Sequence, residues 1–187
     1  MPSLLFLTAR DFAVQESTAA VVLTTRIADL SLLLHYHSTD PRAHEWQSAF
    51  RELPRRLHGC HFGMVSLSTH RDLETMSKRT TTPLPSVHEP PNHRVILYAQ
   101  GKPCMAYKGP PDCAQIETFI TEVVAILNRT PEDPAEIEAF TQRSGRALAM
   151  TTLGVPLYGC DDLGQYLAMD KAYITITPDR TASLRRA

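Results

Sequence analysis

Leu30-Ser31-Leu32-Leu33-Leu34-His35-Tyr36-His37 is nearly continuous in apolar residues, and no other stretch constrains the fold as strongly. A strand with one wet face alternates polar and apolar residues, whereas an unbroken run fits a strand covered on both faces. Such a strand needs a layer above it and another below. Ser38-Thr39-Asp40-Pro41 then reads as a turn into a helix, with Asp40 as N-cap and Pro41 at the first helical position. Trp46, Phe50, Leu53 and Leu57 follow at spacings of 4, 3 and 4, one face of an amphipathic helix that Pro54 should kink near its end.

His58-Gly59-Cys60-His61 reads as the exit from that helix, and Phe62-Gly63-Met64-Val65-Ser66-Leu67 as a second strand. A short helix is expected around Asp72 to Lys78. Val95-Ile96-Leu97-Tyr98 is a third strand, joined through a tight turn at Gln100-Gly101-Lys102 to a fourth, Cys104-Met105-Ala106-Tyr107. Gly109-Pro110-Pro111 ends it. Asp112 with Gln115 three residues on forms a capping box, and Ile116, Phe119, Ile120, Val123 and Leu127 carry a helical stripe. The order from residue 30 is therefore strand, helix, strand, helix, strand, strand, helix.

Two segments lack this regularity. Residues 79–93 hold four prolines (83, 85, 90 and 91) and no periodicity, and a loop of that length is usually functional or held by a partner. Pro90, Pro91 and His93 are the binding residues expected there. Residues 129–187 have few large apolar side chains, so they are expected to drape over the domain or a neighbour rather than fold alone. Tyr158, Tyr166 and Tyr173 are their expected anchors, since tyrosine buries area while keeping a hydroxyl for a polar partner.

The balance of 19 Lys+Arg against 20 Asp+Glu leaves a net charge of −1, which argues against a dedicated nucleic-acid binder. No apolar run approaches the roughly 20 residues of a membrane span. Met1-Pro2-Ser3-Leu4-Leu5-Phe6-Leu7 has no basic segment and too short an apolar core for a signal peptide, so an intracellular, non-secreted protein is expected. Cysteines at 60, 104, 113 and 160 form no C-x-x-C pair and read as buried free thiols. His35 and His37 share a strand face and His44 opens the next helix, so a zinc site can be sketched from the three. His58 and His61 lie at the far end of that helix. Three imidazoles alone are a weak metal signal, and the reading is core or surface histidines with no metal and no cofactor. No glycine-rich phosphate loop or nucleophile elbow is present.

This order resembles the thioredoxin fold over residues 30–128. Leu32-Leu33-Leu34-His35-Tyr36-His37-Ser38 resembles the strand leading into the thioredoxin active site. Val95 to Lys102, followed by Tyr107-Lys108-Gly109, resembles the family's hairpin with its turn glycine and the glycine before the last helix. The resemblance implies an α/β, thioredoxin-like three-layer domain with a mixed central sheet over 1–128, and a C-terminal extension over 129–187. It stops at the chemistry. Where the family has two cysteines, this chain has about Pro41-Arg42-Ala43-His44; where it has a cis-proline, this chain has His93-Arg94; and His35 aligns with its buried acidic residue. Thiol exchange needs an activated thiolate and a resolving thiol, and both are missing at that place.

Gly154 to Gly159 and Tyr166 to Tyr173 resemble C-terminal extensions on thioredoxin-like proteins of large eukaryotic DNA viruses. The expectation is a redox-inactive structural or scaffold protein that is not an enzyme. Its partners would be other protein subunits of a larger assembly, as for a minor capsid component within a virion. The alternative is an oxidoreductase with noncanonical cysteines, or a metal-dependent enzyme using His35, His37 and His44.

Overall fold

The structure, a computed structural model, describes residues 3–16, 21–82, 84–86, 88 and 92–127, with the backbone of three further strands at 154–156, 172–176 and 182–186. In chain order the elements are β1 (Leu5–Phe6), β2 (Phe12–Glu16), β3 (Val21–Thr25), β4 (Ser31–Tyr36), α1 (Ala43–Arg56), β5 (His61–Ser66), α2 (Arg71–Ser77), β6 (His93–Ala99), β7 (Lys102–Tyr107), α3 (Cys113–Leu127), β8 (Gly154–Pro156), β9 (Ala172–Ile176) and β10 (Ala182–Arg186). The six-stranded sheet runs β1-β5-β4-β6-β7-β8. β1 and β4 are parallel to β5, while β6 is antiparallel to β4 and β7 to β6. A mixed sheet in this order, with α1 and α2 as the two crossovers and a hairpin leading into α3, is the thioredoxin-like α/β arrangement that the sequence implies.

β4 sits at the centre, and its alternate side chains define two cores. Leu32 and Leu34 face one side, where Trp46, Phe50 and Leu53 of α1 meet Ile116, Phe119 and Ile120 of α3. Phe50 and Phe62 pack edge-on at 6.4 Å, and the ring of Tyr107 lies 5.3 Å from that of Phe119. Leu33 faces the other side, against Phe12, Leu23, Val65, Leu73 and Ile96. The second outer layer is therefore not helical throughout. The β2–β3 hairpin, which the sequence does not announce, covers it together with α2.

That hairpin is tied down by polar contacts as well as by packing. The Thr25 N–H donates to the Gly101 carbonyl at 2.9 Å, at the turn between β6 and β7. Gln100 and Gly101 both have positive φ, 52° and 78°, the form that a two-residue hairpin turn requires. A Cβ on Gly101 would stand 2.6 Å from the Thr25 carbonyl oxygen, so glycine alone lets the two turns approach. Further back along the same strand, the Thr82 hydroxyl accepts the Leu23 N–H at 3.1 Å, and Thr81 donates its N–H to the Val21 carbonyl at 2.7 Å. Thr81 and Thr82 thus direct hydrogen bonds inward to β3, and this first part of the long loop serves the fold itself.

Helix starts differ in detail from expectation. α1 begins at Ala43, and Asp40 precedes its cap by two residues; the Asp40 Oδ1 accepts the Arg42 N–H at 2.8 Å. Pro54 lies inside α1, which ends two residues later at Arg56. Asp112 does cap α3, accepting the Gln115 N–H at 2.9 Å. From the C-terminal region, β8 pairs antiparallel with β7 through Met105↔Pro156 and Tyr107↔Gly154, and β9 pairs with β10.

Candidate functional site

The end of β4, the turn into α1 and the start of β6 meet at one corner of the sheet. Backbone bonds close the corner: His37 donates its N–H to the Asn92 carbonyl at 2.8 Å, and Asp40 donates its own to the His37 carbonyl at 3.0 Å. Antiparallel pairing sets Tyr36 opposite His93, so the residue leading into α1 and the first residue of β6 arrive side by side. The outcome is a direct contact between His93 Nδ1 and Asp40 Oδ2.

The surroundings make that contact strong. The Asp40 side chain is only 4% exposed and that of His93 17%, so little water competes for either. A buried carboxylate needs donors, and among the described residues Asp40 has two, the His93 ring and the Arg42 N–H. Behind the pair lies Trp46, with ring centroids 4.8 Å from His93 at a tilt of 41°. Tyr107 meets the indole edge-on at 6.1 Å from beyond. This corner is where the resemblance would place a dithiol and a cis-proline. Here it holds a carboxylate, an imidazole and an indole.

The thiols of the described residues are elsewhere. Cys60, Cys104 and Cys113 are buried, and no disulfide joins them to one another. Burial pushes the Cys60 thiol up. Cys113 opens α3, a position whose dipole normally favours a thiolate. Burial and then the neighbouring Glu52 carboxylate nevertheless raise its pKa, and its Sγ donates to the Ala49 carbonyl at 3.4 Å.

The three histidines sketched as a metal site do not converge. His35 is fully buried, its ring 5.4 Å from Phe12 and its Nε2 3.3 Å from the Tyr98 hydroxyl. Burial, and secondarily the charge of Arg94, lowers its pKa to about 3. His37 donates Nε2–H to the Pro85 carbonyl at 2.9 Å. His44 lines a separate surface cleft with Glu45, Glu52 and Asp112. Among the described residues no group of three or more His, Cys, Asp or Glu is arranged to hold a metal ion. His61, at the far end of α1, instead approaches Asp29 at 3.2 Å.

Of the expected binding residues, His93 lies in the corner just described. Pro90, Pro91, Tyr158 and Tyr166 fall outside the described residues, and Tyr173 stands on β9, of which the backbone is described. Asp40 and Trp46 are the site residues that sequence reasoning missed, having taken one as a cap and the other as core. The signal that finds them is the antiparallel pairing of the two strands, since it joins residues 53 positions apart.

Among the described residues no helix is long and apolar enough to cross a membrane. No protein-family model and no curated protein matches the chain. Solved structures resemble it at low identity. Human ERp44 in crystal form I is 16% identical over 60% of this chain and 29% of its own, with a TM-score of 0.43. A zinc-bound form of human ERp44 is 17% identical over 60% of this chain and 32% of its own, with a TM-score of 0.43. ERdj5 in form II is 14% identical over 74% of this chain and 16% of its own, with a TM-score of 0.46. The chain thus spans a third or less of each of these proteins, and the thioredoxin-like assignment rests on its own strand order.

Proposed function

We propose that this chain is a thioredoxin-like module that works through protein–protein contacts rather than through thiol exchange. One observation carries the reading: the Asp40–His93 pair, backed by Trp46, stands at the corner where α1 begins. Neither side chain can attack a disulfide, and the pair rigidifies a surface that the fold otherwise uses for chemistry. The raised thiol pKa values of Cys60 and Cys113 support the same view, because the thiolate is the nucleophile. The module acts as a scaffold within a larger assembly and is not an enzyme. Residues 83–91, His93 and the tyrosines of the C-terminal region supply its contacts. On the likeness of residues 154–159 and 166–173 to viral extensions, that assembly is the capsid of a large DNA virus.

Co-sedimentation with the native assembly tests this reading. A variant with alanine at Cys60, Cys104, Cys113 and Cys160 should co-sediment to the same extent as the unmodified chain. Loss of co-sedimentation in a variant that remains folded by circular dichroism would return the function to the thiols.

A further inference from the structure

A cleft of about 660 Å³ opens on the face away from α1, between the ends of β4 and β5 and the start of α2. Its position follows from topology. β4 and β5 are adjacent and parallel, but the chain leaves β4 toward the layer of α1 and leaves β5 toward the layer of α2. Connections that depart to opposite faces leave a crevice at the carboxyl ends of the strands, which is where open α/β sheets bind ligands. The volume lies within the range of small-molecule sites.

The polarity of the mouth selects the ligand. Ser68 Oγ accepts both the Ser38 N–H, at 2.9 Å, and the Ser38 hydroxyl, at 3.0 Å. Whichever hydroxyl donates within the pair, one hydroxyl proton is left for a ligand. Arg71 stands three residues on, exposed, and no carboxylate pairs with it among the described residues. Lys78 lies seven residues further along the same helix face, about 10 Å by helical rise. Among the described residues Glu74 is the single carboxylate of the lining, and it sits 3.8 Å from Lys78. A hydroxyl donor beside a guanidinium that no described carboxylate pairs fits a phosphate group, which the arginine can grip with two parallel bonds.

We propose that this cleft binds a small phosphorylated molecule, with the phosphate at Ser68 and Arg71 and the remainder lying along α2 toward Lys78. The inference rests on the lining of the cleft, which adjoins the corner through His37 to Thr39, and does not depend on the thiol-free reading. Nuclear magnetic resonance titrations with ribose 5-phosphate, ribose and inorganic phosphate test it on the full chain. Ribose 5-phosphate should shift the Ser38, Ser68 and Thr75 amides saturably and bind at least tenfold more tightly than ribose. Inorganic phosphate should shift the Ser68 end alone. Arg71→Ala, at an exposed position, should weaken ribose 5-phosphate binding at least tenfold, and Ser68→Ala by a smaller factor. Equal binding of ribose and ribose 5-phosphate, shifts spread over unrelated basic residues, or unchanged affinity in Arg71→Ala would each overturn the proposal.

Discussion

His93→Ala should lower the free energy of unfolding by about 3 kcal/mol, although the position is at the edge of the core. The imidazole is the side-chain partner of an Asp40 carboxylate that is 4% exposed. Removing it leaves that charge, among the described residues, with the Arg42 N–H alone and also strips one ring from Trp46, a contact of about 0.5–1.5 kcal/mol. Adding Asp40→Asn to His93→Ala should then recover at least about 1 kcal/mol, because an amide carries no charge to bury. Urea unfolding followed by fluorescence reads both effects, since Trp46 is the sole tryptophan. A His93→Ala loss below about 0.5 kcal/mol, or a further loss on adding Asp40→Asn, would mean the pair is not the stabilising buried contact described.

The second large effect is a pH slope from His35. The folded-state pKa is depressed to about 3 from an ordinary value of 6.5, first by burial and then by Arg94. Between those two values the unfolded chain binds a proton that the folded chain excludes, so stability rises with pH across this window. The contribution is complete above pH 6.5 and is lost progressively as pH falls toward 3. From pH 7 to pH 4.5 it should remove about 2.5 kcal/mol from the unmodified chain. His35→Leu keeps an apolar side chain against Phe12 and Tyr98 and should lack that part of the slope. Denaturant unfolding of both proteins at the two pH values makes the comparison. Identical slopes would show that the imidazole is not held neutral.

Much of the central domain was legible in the sequence because its signals are local. Leu32 to Leu34 announce a doubly covered strand, the spacing of Trp46, Phe50 and Leu53 announces a helix, and Asp112 with Gln115 marks the start of another. The β2–β3 hairpin was not legible. Its strands are only 5 residues each, and what holds them is remote in sequence: Gly101 against Thr25, and Thr82 against Leu23. No periodicity reports such contacts. The resemblance pointed to the corner where Asp40 and His93 meet, because it aligned His93 with the proline position and residues 41–44 with the cysteine pair. It could not show that Asp40 turns back from the helix start to meet His93, since that depends on backbone geometry over residues 37–42. The zinc sketch from His35, His37 and His44 failed for a related reason. Strand spacing places the first two on one face, but His35 sits beneath the hairpin, while His44 opens onto a cleft between α1 and α3.

Insulin reduction in the presence of dithiothreitol tests the central claim most directly. If the corner of Asp40, His93 and Trp46 has taken the place of thiol chemistry, adding the full chain should leave the rate of insulin precipitation at that of dithiothreitol alone. Substituting Cys60, Cys104, Cys113 or Cys160 should then change nothing. A rate clearly above the dithiothreitol control, abolished by replacing any one of these cysteines in a folded variant, would contradict the account.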